Sequence, residues 1–219
     1  DGLAMLLKRD VWKHAEVEGH ALRPRCCDRV AQVAVLQHRV TGLEIVLANV
    51  HITVAHVDNG YDIPHHRPLQ MQQVLEMVNA RAATLPGGLD NAITVVAGDM
   101  NSDHLESQPP SRHFTAKQVQ RPLSMAFEQG FVSALHNAGD FKGGRPISHT
   151  CSYAQDGCCD YVLFRPHPRL ELQHAYLYPE TLPASTRWDR DRGWGFSDEE
   201  MSDHRPVVAH FLLRRSSKR

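Results

Sequence analysis

Short apolar runs recur along this chain and are separated by polar stretches that contain glycine or proline. Runs of roughly four to eight residues that are rich in valine, isoleucine and leucine are typical of β-strands. Such runs occupy residues 3–7, 30–36, 43–50, 93–97, 161–164 and 207–213. The pattern therefore predicts a protein with at least six strands.

Helical spacing is seen in two places. Between residues 68 and 83 the apolar positions recur every three or four residues, and Pro68 suits a first helical turn. The sequence Leu-Pro-Gly-Gly at 85–88 ends this segment, and a shorter helix is predicted over 122–129 with Gly130 as its stop. The polar stretches at 102–119 and 181–200 are predicted to be long loops.

Composition narrows the classes of protein that the chain could be. Its 219 residues, 42% of them apolar, can form one large domain or two small ones. A net charge of -1 excludes a protein-wide basic field for nucleic acid. No apolar stretch approaches the roughly 20 residues of a membrane span. We therefore expect a cytoplasmic or nuclear protein.

The five cysteines lie in an arrangement that does not suit disulfide bonds. Four of them form two pairs of sequence neighbours, at 26–27 and 158–159, and the fifth is Cys151. A disulfide framework is therefore not expected. A zinc site formed by His149, Cys151, Cys158 and Cys159 stays open as an alternative to ordinary thiols, although structural zinc sites prefer two well-spaced ligand pairs.

Polar residues stand at the ends of several predicted strands. Asn49 and His51 close one run and Asp99 and Asn101 close another, and residues two apart on a strand share a face. An acid also precedes the run at 161–164, and an Asp-His pair precedes the last run. Each motif alone is also typical of a turn. Together they predict a polar site at one end of a sheet.

The order of these motifs resembles the endonuclease/exonuclease/phosphatase superfamily. The opening residues 1–4, Arg67-x-x-Gln70 and the segment 98–102 are most similar to the nocturnin and carbon-catabolite-repressor-type deadenylases. Residues 202–207 also resemble a motif of inositol polyphosphate phosphatases. The resemblance implies an α/β fold of the deoxyribonuclease I type, a β-sandwich of two mixed sheets flanked by helices in four layers. It implies one catalytic domain over 1–213, followed by a basic tail at 214–219.

The resemblance also implies phosphodiester hydrolysis assisted by Mg²⁺ or Mn²⁺. In this chemistry Asp99 orients or deprotonates water, Asn101 holds Asp99 or a phosphate oxygen, and His204 stabilises charge on the phosphoryl oxygens. Asp160 orients His204, and His51 contacts the phosphate or assists the leaving oxygen. The remaining implied residues are Asp203 as a metal ligand, with Asn49 and Arg67 as substrate-binding residues.

Members of this superfamily carry a catalytic Asn and a Gln-Glu motif upstream of the matching region, and this sequence contains neither before its first matching motif. We therefore expect it to be the C-terminal portion of a catalytic domain. An RNA 3′ end is the first-choice substrate, and aromatic residues in predicted loops are candidates for base stacking. These are Tyr153, Trp188, Trp194 and Phe196. Alternatives are a phosphatase of inositol phosphates or lipids and a non-catalytic remnant of the fold.

Overall fold

The computed structural model describes residues 2–23, 29–53, 66–102, 122–137, 158–178, 187–189, 193–196, 199–202 and 204–215. Within these residues the first strands are β1 (Trp12–Ala21), β2 (Val30–His38), β3 (Glu44–His51) and β4 (Ile93–Asp99). The later strands are β5 (Val132–Ser133), β6 (Asp160–Phe164), β7 (Leu170–Leu177), β8 (Arg187–Asp189), β9 (Gly193–Phe196), β10 (Glu199–Ser202) and β11 (Val207–Leu213). The helices are α1 (His66–Thr84), α2 (Pro122–Glu128) and α3 (Ala134–Asn137), and a short 3₁₀ turn lies at Leu89–Asn91.

Six of the strands form one mixed sheet in the order β1-β2-β3-β4-β6-β5. Strands β3 and β4 are parallel, and each of the other neighbouring pairs is antiparallel. A parallel pair needs a long crossover, which here contains α1. The crossover brings the carboxyl ends of β3 and β4 to the same edge of the sheet.

Alternating side chains on the sheet supply two apolar layers. Val46, Ala48 and Val96 face one side, where they pack with Met71, Val74 and the other buried apolar residues of α1. Ile45, Val95 and Phe164 belong to the layer on the other side. Strands β3 and β4 bury apolar residues on both faces, and this explains why the runs at 43–50 and 93–97 are mostly apolar and do not alternate with polar residues.

The second layer joins the large sheet to a two-stranded antiparallel sheet formed by β7 and β11. The rings of Phe164 and Phe211 meet edge to face across this layer, with centroids 5.1 Å apart. A third, three-stranded sheet has the order β10-β9-β8. The predicted α/β sandwich of sheets flanked by helices is confirmed.

Most predicted elements form close to their predicted bounds, but the strand predicted at residues 3–7 does not. This segment has no regular secondary structure. Its carbonyl groups accept hydrogen bonds from side chains instead, with Gln32 Nε2 3.2 Å from the Leu3 oxygen and Asn49 Nδ2 3.1 Å from the Ala4 oxygen. The apolar pattern was read as a strand, but a strand also needs a neighbouring backbone.

Two long strands were missed because their sequences are polar. Strand β1 lies at the edge of the sheet, and strand β7 has two exposed polar residues, Gln173 and His174, at its centre. The loop predicted over 181–200 was also wrong, since β8, β9 and part of β10 fall within it. All but the first residue of the loop predicted over 102–119 lies outside the described residues.

Three further predictions can be placed only in part. Cys158 is buried and its Sγ–H donates to the Asp160 carbonyl oxygen at 3.4 Å, Cys159 is half-buried, and His149 and Cys151 lie outside the described residues. The first two residues of the basic tail contact the domain: Arg214 forms an ion pair with Glu171, and Arg215 Nη2 donates to the Val40 oxygen at 3.0 Å. Among the described helices, none combines the length and apolar character that crossing a bilayer requires.

Arg165 joins three elements at the end of the sheet where β4 begins. Its guanidinium lies 4.5 Å from the centre of the Phe131 ring, its Nε donates to the Gln129 oxygen at 3.1 Å, and its Nη2 donates to Asn79 Oδ1 at 2.6 Å. Burial lowers the pKa of Arg165. The side chain therefore acts as a cross-link between α1, the end of α2 and β6.

Replacing Arg165 by alanine is expected to lower the free energy of unfolding by about 2 kcal/mol, because the half-buried Asn79 acceptor, the exposed Gln129 oxygen and the Phe131 ring all lose their partner. Urea unfolding followed by circular dichroism measures this change. The same substitution at Arg39, whose contacts are exposed, is the control. Equal effects of the two substitutions would contradict the assigned cross-link.

Candidate active site

Three side chains predicted from sequence form a row across the end of the large sheet. His51 is paired with Asp99 in the parallel β3–β4 register, and Asp99 is paired with Asp160 in the antiparallel β4–β6 register. Directly paired residues point to the same side of a sheet. The row lies on the side that packs, further along the strands, against β7 and β11. The structure therefore brings His51, Asp99 and Asp160 to one place.

Asp99 is the most firmly held member of the row. Its Oδ1 accepts a hydrogen bond from the Asn101 backbone N–H at 2.7 Å, and its Oδ2 accepts one from Asn101 Nδ2 at 3.1 Å. The same Nδ2 donates to the Ile52 oxygen at 2.8 Å. Asn101 has a φ of 44°, a left-handed conformation that asparagine tolerates better than most residues. Asp99 and Asn101 thus form one hydrogen-bonded unit, in which Asn101 fixes the carboxylate of Asp99.

The first turn of α1 contacts the loop that carries Asn101. Arg67 is buried, and its Nη1 donates to the Asn101 carbonyl oxygen at 2.6 Å. Gln70, one helical turn further on, is also buried and accepts the Thr53 backbone N–H on its Oε1 at 2.9 Å. Arg67-x-x-Gln70 therefore ties α1 to the segments that follow β3 and β4. Substrate binding by Arg67 stays a prediction, and its hydrogen bond to Asn101 is made to the loop.

His204 reaches the row from the segment that precedes β11. Its Nδ1–H donates to Asp160 Oδ2 at 2.8 Å, which fixes the orientation of the imidazole. Ligand atoms of Asp99, Asp160 and His204 all lie within 4.8 Å of one another. Two oxygens that each lie 2.0–2.6 Å from a shared cation are separated by at most about 5 Å, so this group can share one ion.

The donor set agrees with a hard divalent cation. Two carboxylates match the preference of Mg²⁺ for oxygen, and ordinary sites for this ion complete their shell with water and substrate phosphate. The side chains of Asp99 and Asp160 are 15% and 18% exposed, so water can reach both. Asp203, the metal ligand predicted from sequence, lies outside the described residues.

His51 lies between a cation and an anion. Its Nε2 is 3.4 Å from Asp99 Oδ2, while Arg29 Nη1 lies 2.7 Å from Nε2 and 3.0 Å from Nδ1. Burial, followed by the charge of Arg29 and then that of His204, lowers the pKa of His51 to about 4. The imidazole is therefore neutral at neutral pH, so protonation of a leaving oxygen by a cationic His51 is disfavoured in this arrangement.

Arg29 was missed by the sequence analysis, yet a signal was present. It immediately precedes β2, and β2 and β3 form an antiparallel pair joined by a short turn. The start of β2 must therefore lie beside the end of β3. A residue just before the run at 30–36 could have been placed next to His51 on this basis.

Asn49 precedes His51 by two residues on β3, so the two side chains lie on the same face of the strand. Its Nδ2 donates to the Ala4 oxygen, so in this structure it holds the N-terminal segment. Its predicted role in substrate binding stays a prediction. The side chains of the four aromatic residues proposed for base stacking lie outside the described part. The backbone pairs Trp188 of β8 with Trp194 of β9 and places Phe196 at the end of β9.

Comparison with known proteins gives a match by structure and none by sequence. No protein-family model matches the chain, and no curated protein matches its sequence. The fold is similar to the human nocturnin catalytic domain with bound sulfate anion, with a TM-score of 0.58 and 16% identity over 94% of this chain and 62% of that chain. The chain thus spans somewhat less than two thirds of that structure.

Two other similar structures belong to proteins whose activities differ from each other. The mannosyl-6-phosphatase of Bacteroides thetaiotaomicron has a TM-score of 0.60 at 12% identity, covering 94% of this chain and 69% of that one. ANGEL2, a 2′,3′-cyclic phosphatase in complex with adenosine-2′,3′-vanadate, has a TM-score of 0.57 at 18% identity, again over 94% and 69%. The TM-scores establish a shared fold, and identities this low leave the substrate open.

Proposed function

We propose that this chain, which has the fold of the endonuclease/exonuclease/phosphatase proteins, carries the active site of a divalent-metal-dependent phosphoesterase. The observation that carries the proposal is the meeting of His51, Asp99, Asp160 and His204, which come from four separate segments, at one end of the sheet. Hydrolysis of a phosphoester needs little covalent chemistry from the protein and depends on positioned charge. A site with fixed carboxylates and a fixed imidazole suits this demand.

The residues of the row have separable parts in the proposed reaction. Asp99, Asp160 and His204 would hold Mg²⁺ or Mn²⁺, which would supply Lewis-acid chemistry at the phosphoryl group. Asp99, immobilised by Asn101, accepts a hydrogen bond from the attacking water and orients it. The imidazole of His204, oriented by Asp160, donates to a phosphoryl oxygen on which charge grows. Asp203 beside His204 in sequence is proposed as a further metal ligand.

A phosphodiester at an RNA 3′ end is the proposed substrate. The resemblance of Arg67-x-x-Gln70 and of residues 98–102 to the nocturnin and deadenylase group supports this choice, and so does the similar fold of nocturnin, a protein whose structure holds a sulfate anion. A phosphomonoester of a small molecule is the second candidate. The similar fold of a mannosyl-6-phosphatase favours it.

Hydrolysis assays distinguish these candidates. The protein is incubated with a 5′-labelled RNA that ends in adenosines and, separately, with an inositol polyphosphate and a sugar phosphate. Each reaction is run with Mg²⁺, with Mn²⁺ and with EDTA. RNA shortening that requires the metal supports the nuclease proposal, and phosphate release from the small molecules alone supports the phosphatase. Absence of hydrolysis together with absence of Mn²⁺ binding would overturn both in favour of a non-catalytic remnant of the fold.

Substitution of Asp160 by asparagine tests the metal site without depending on the substrate. We expect Mn²⁺ affinity to fall by about tenfold or more, because the substitution removes a charged ligand and disturbs its contact with His204. Electron paramagnetic resonance of free Mn²⁺ measures the affinity. Glu171→Gln on β7, a carboxylate that pairs with Arg214, is the control. Unchanged affinity in the Asp160 variant would remove Asp160 from the site.

A further inference from the structure

Arg29 is held beside the row of site residues at both its backbone and its side chain. Its carbonyl oxygen accepts the Leu22 backbone N–H at 2.8 Å, which ties it to the end of β1. Its Nη1 lies within 3.0 Å of both ring nitrogens of His51. The side chain is only half-buried. Arg29 is therefore a positioned cation that solvent and a ligand can still reach.

The site carries negative charge, so a cation beside it favours the binding of an anionic substrate. Asp99 and Asp160 place two carboxylates in the row, and a phosphate brings further negative charge to it. His51 lies 3.4 Å from Asp99, so the Arg29 guanidinium is one side chain removed from that carboxylate. A positive charge at this separation offsets repulsion between the anionic substrate and the acidic row.

A second arginine near the row has a different position. Arg67 is buried, and its Nη1 donates to the Asn101 carbonyl oxygen at 2.6 Å. It belongs to α1, which packs on the opposite face of the sheet from the row, and it supports the loop that carries Asn101. The more accessible Arg29 is thus the better placed of the two to receive an anion.

We infer that Arg29 is a phosphate-binding residue of this site, and that its guanidinium donates hydrogen bonds to a non-bridging oxygen of the substrate phosphate beside His51. A guanidinium presents a planar fork of N–H donors that matches phosphate geometry, and charge-assisted bonds of this kind are stronger than neutral ones. The inference rests on the proposed function and deepens it, since it selects anionic phosphoesters over neutral substrates at the same site.

The test uses Arg29→Gln, with Arg39→Gln at the other end of β2 as the matched control. Inorganic phosphate binding is measured by isothermal titration calorimetry in the presence of Mn²⁺. We expect the phosphate dissociation constant to rise by about tenfold or more in the Arg29 variant and to stay within about twofold in the control. Mn²⁺ affinity is expected to change by less than about threefold, because Arg29 offers no ligand to a cation.

Two further measurements keep the inference open to refutation. In the unmodified protein the Arg29 Nε–H resonance, assigned by its loss in Arg29→Lys, is expected to shift on addition of phosphate. Arg29→Lys keeps a charge but not the planar fork, so an intermediate phosphate affinity is expected. An unshifted resonance, or phosphate affinity that is equal in Arg29→Gln and the unmodified protein, would overturn the inference.

Failure of the inference and failure of the proposed function give different results. Metal-dependent hydrolysis that is insensitive to Arg29→Gln leaves the proposed function in place and removes Arg29 from it. A protein that neither binds Mn²⁺ nor hydrolyses any phosphoester refutes the proposed function itself. Phosphate binding that depends on Arg29 in such a protein would preserve the anion site alone.

Discussion

Replacing Asp99 by asparagine is expected to lower phosphoester hydrolysis by about a hundredfold or more, with the fold retained. Asp99 stands at the centre of the row, paired with His51 on one side and Asp160 on the other. Its carboxylate accepts two hydrogen bonds from Asn101. An amide of nearly the same size removes the negative charge, and its NH₂ group faces one of these two donors. Both the charge and the alignment of the group are therefore lost.

The measurement is kcat/KM for the substrate identified in the assays above, together with Mn²⁺ affinity and a thermal melt. Asp90→Asn is the matched control, because Asp90 is exposed in the 3₁₀ turn that leads into the opposite end of β4. A folded Asp99 variant with activity within about threefold of the unmodified protein would contradict the assignment of Asp99 to the reaction, since one hydrogen-bonded catalytic group contributes far more.

Replacing Gly98 by alanine is expected to lower the free energy of unfolding by about 3 to 5 kcal/mol. Gly98 has a φ of 135°, a region that is nearly restricted to glycine. A Cβ added there would lie 2.0 Å from the Val50 oxygen, and 2.9 Å and 3.0 Å from the Val50 carbonyl carbon and nitrogen. These atoms belong to the backbone of the neighbouring strand. They can move only if β3 and β4 separate, and that movement would also displace Asp99.

Gly42→Ala separates the two causes. Gly42, in the turn between β2 and β3, also has a positive φ of 70°, but an added Cβ would meet nothing within 4 Å. Its substitution should therefore cost about 1 kcal/mol, the conformational part alone. Urea unfolding of both variants gives the comparison. Equal losses in the two variants would show that the strand contact at Gly98 is not tight.

The sequence predicted the site residues because of where the apolar runs stop. Asp99 and Asn101 follow a run that is buried on both faces, and His51 ends the neighbouring parallel strand. A carboxylate that ends a buried strand lies at the end of the sheet where the strands meet solvent. The joint appearance of polar residues at several strand ends therefore pointed to His51, Asp99, Asp160 and His204 as candidates, and the resemblance implied a role for each.

The contacts among these residues could not be predicted in the same way. Arg67 is predicted to bind substrate, and in the structure its Nη1 donates to the Asn101 carbonyl, because the first turn of α1 lies beside the segment that follows β4. Asn49 holds the Ala4 carbonyl because the segment before β1 crosses the sheet there. The sequence shows that these side chains are polar and near a strand end. Their partners depend on chain segments far away in sequence.

The sequence by itself determined strands β2, β3, β4, β6 and β11, helix α1 and the polar groups at the strand ends, because periodicity and strand ends are local properties. The α/β sandwich was implied by the family resemblance. The tertiary structure decided that Arg29 lies against His51 and that Gly98 touches the Val50 backbone. It also decided the spacing of Asp99, Asp160 and His204. These distances follow from strand register and from the twist and packing of the sheets, which depend on all the paired segments together.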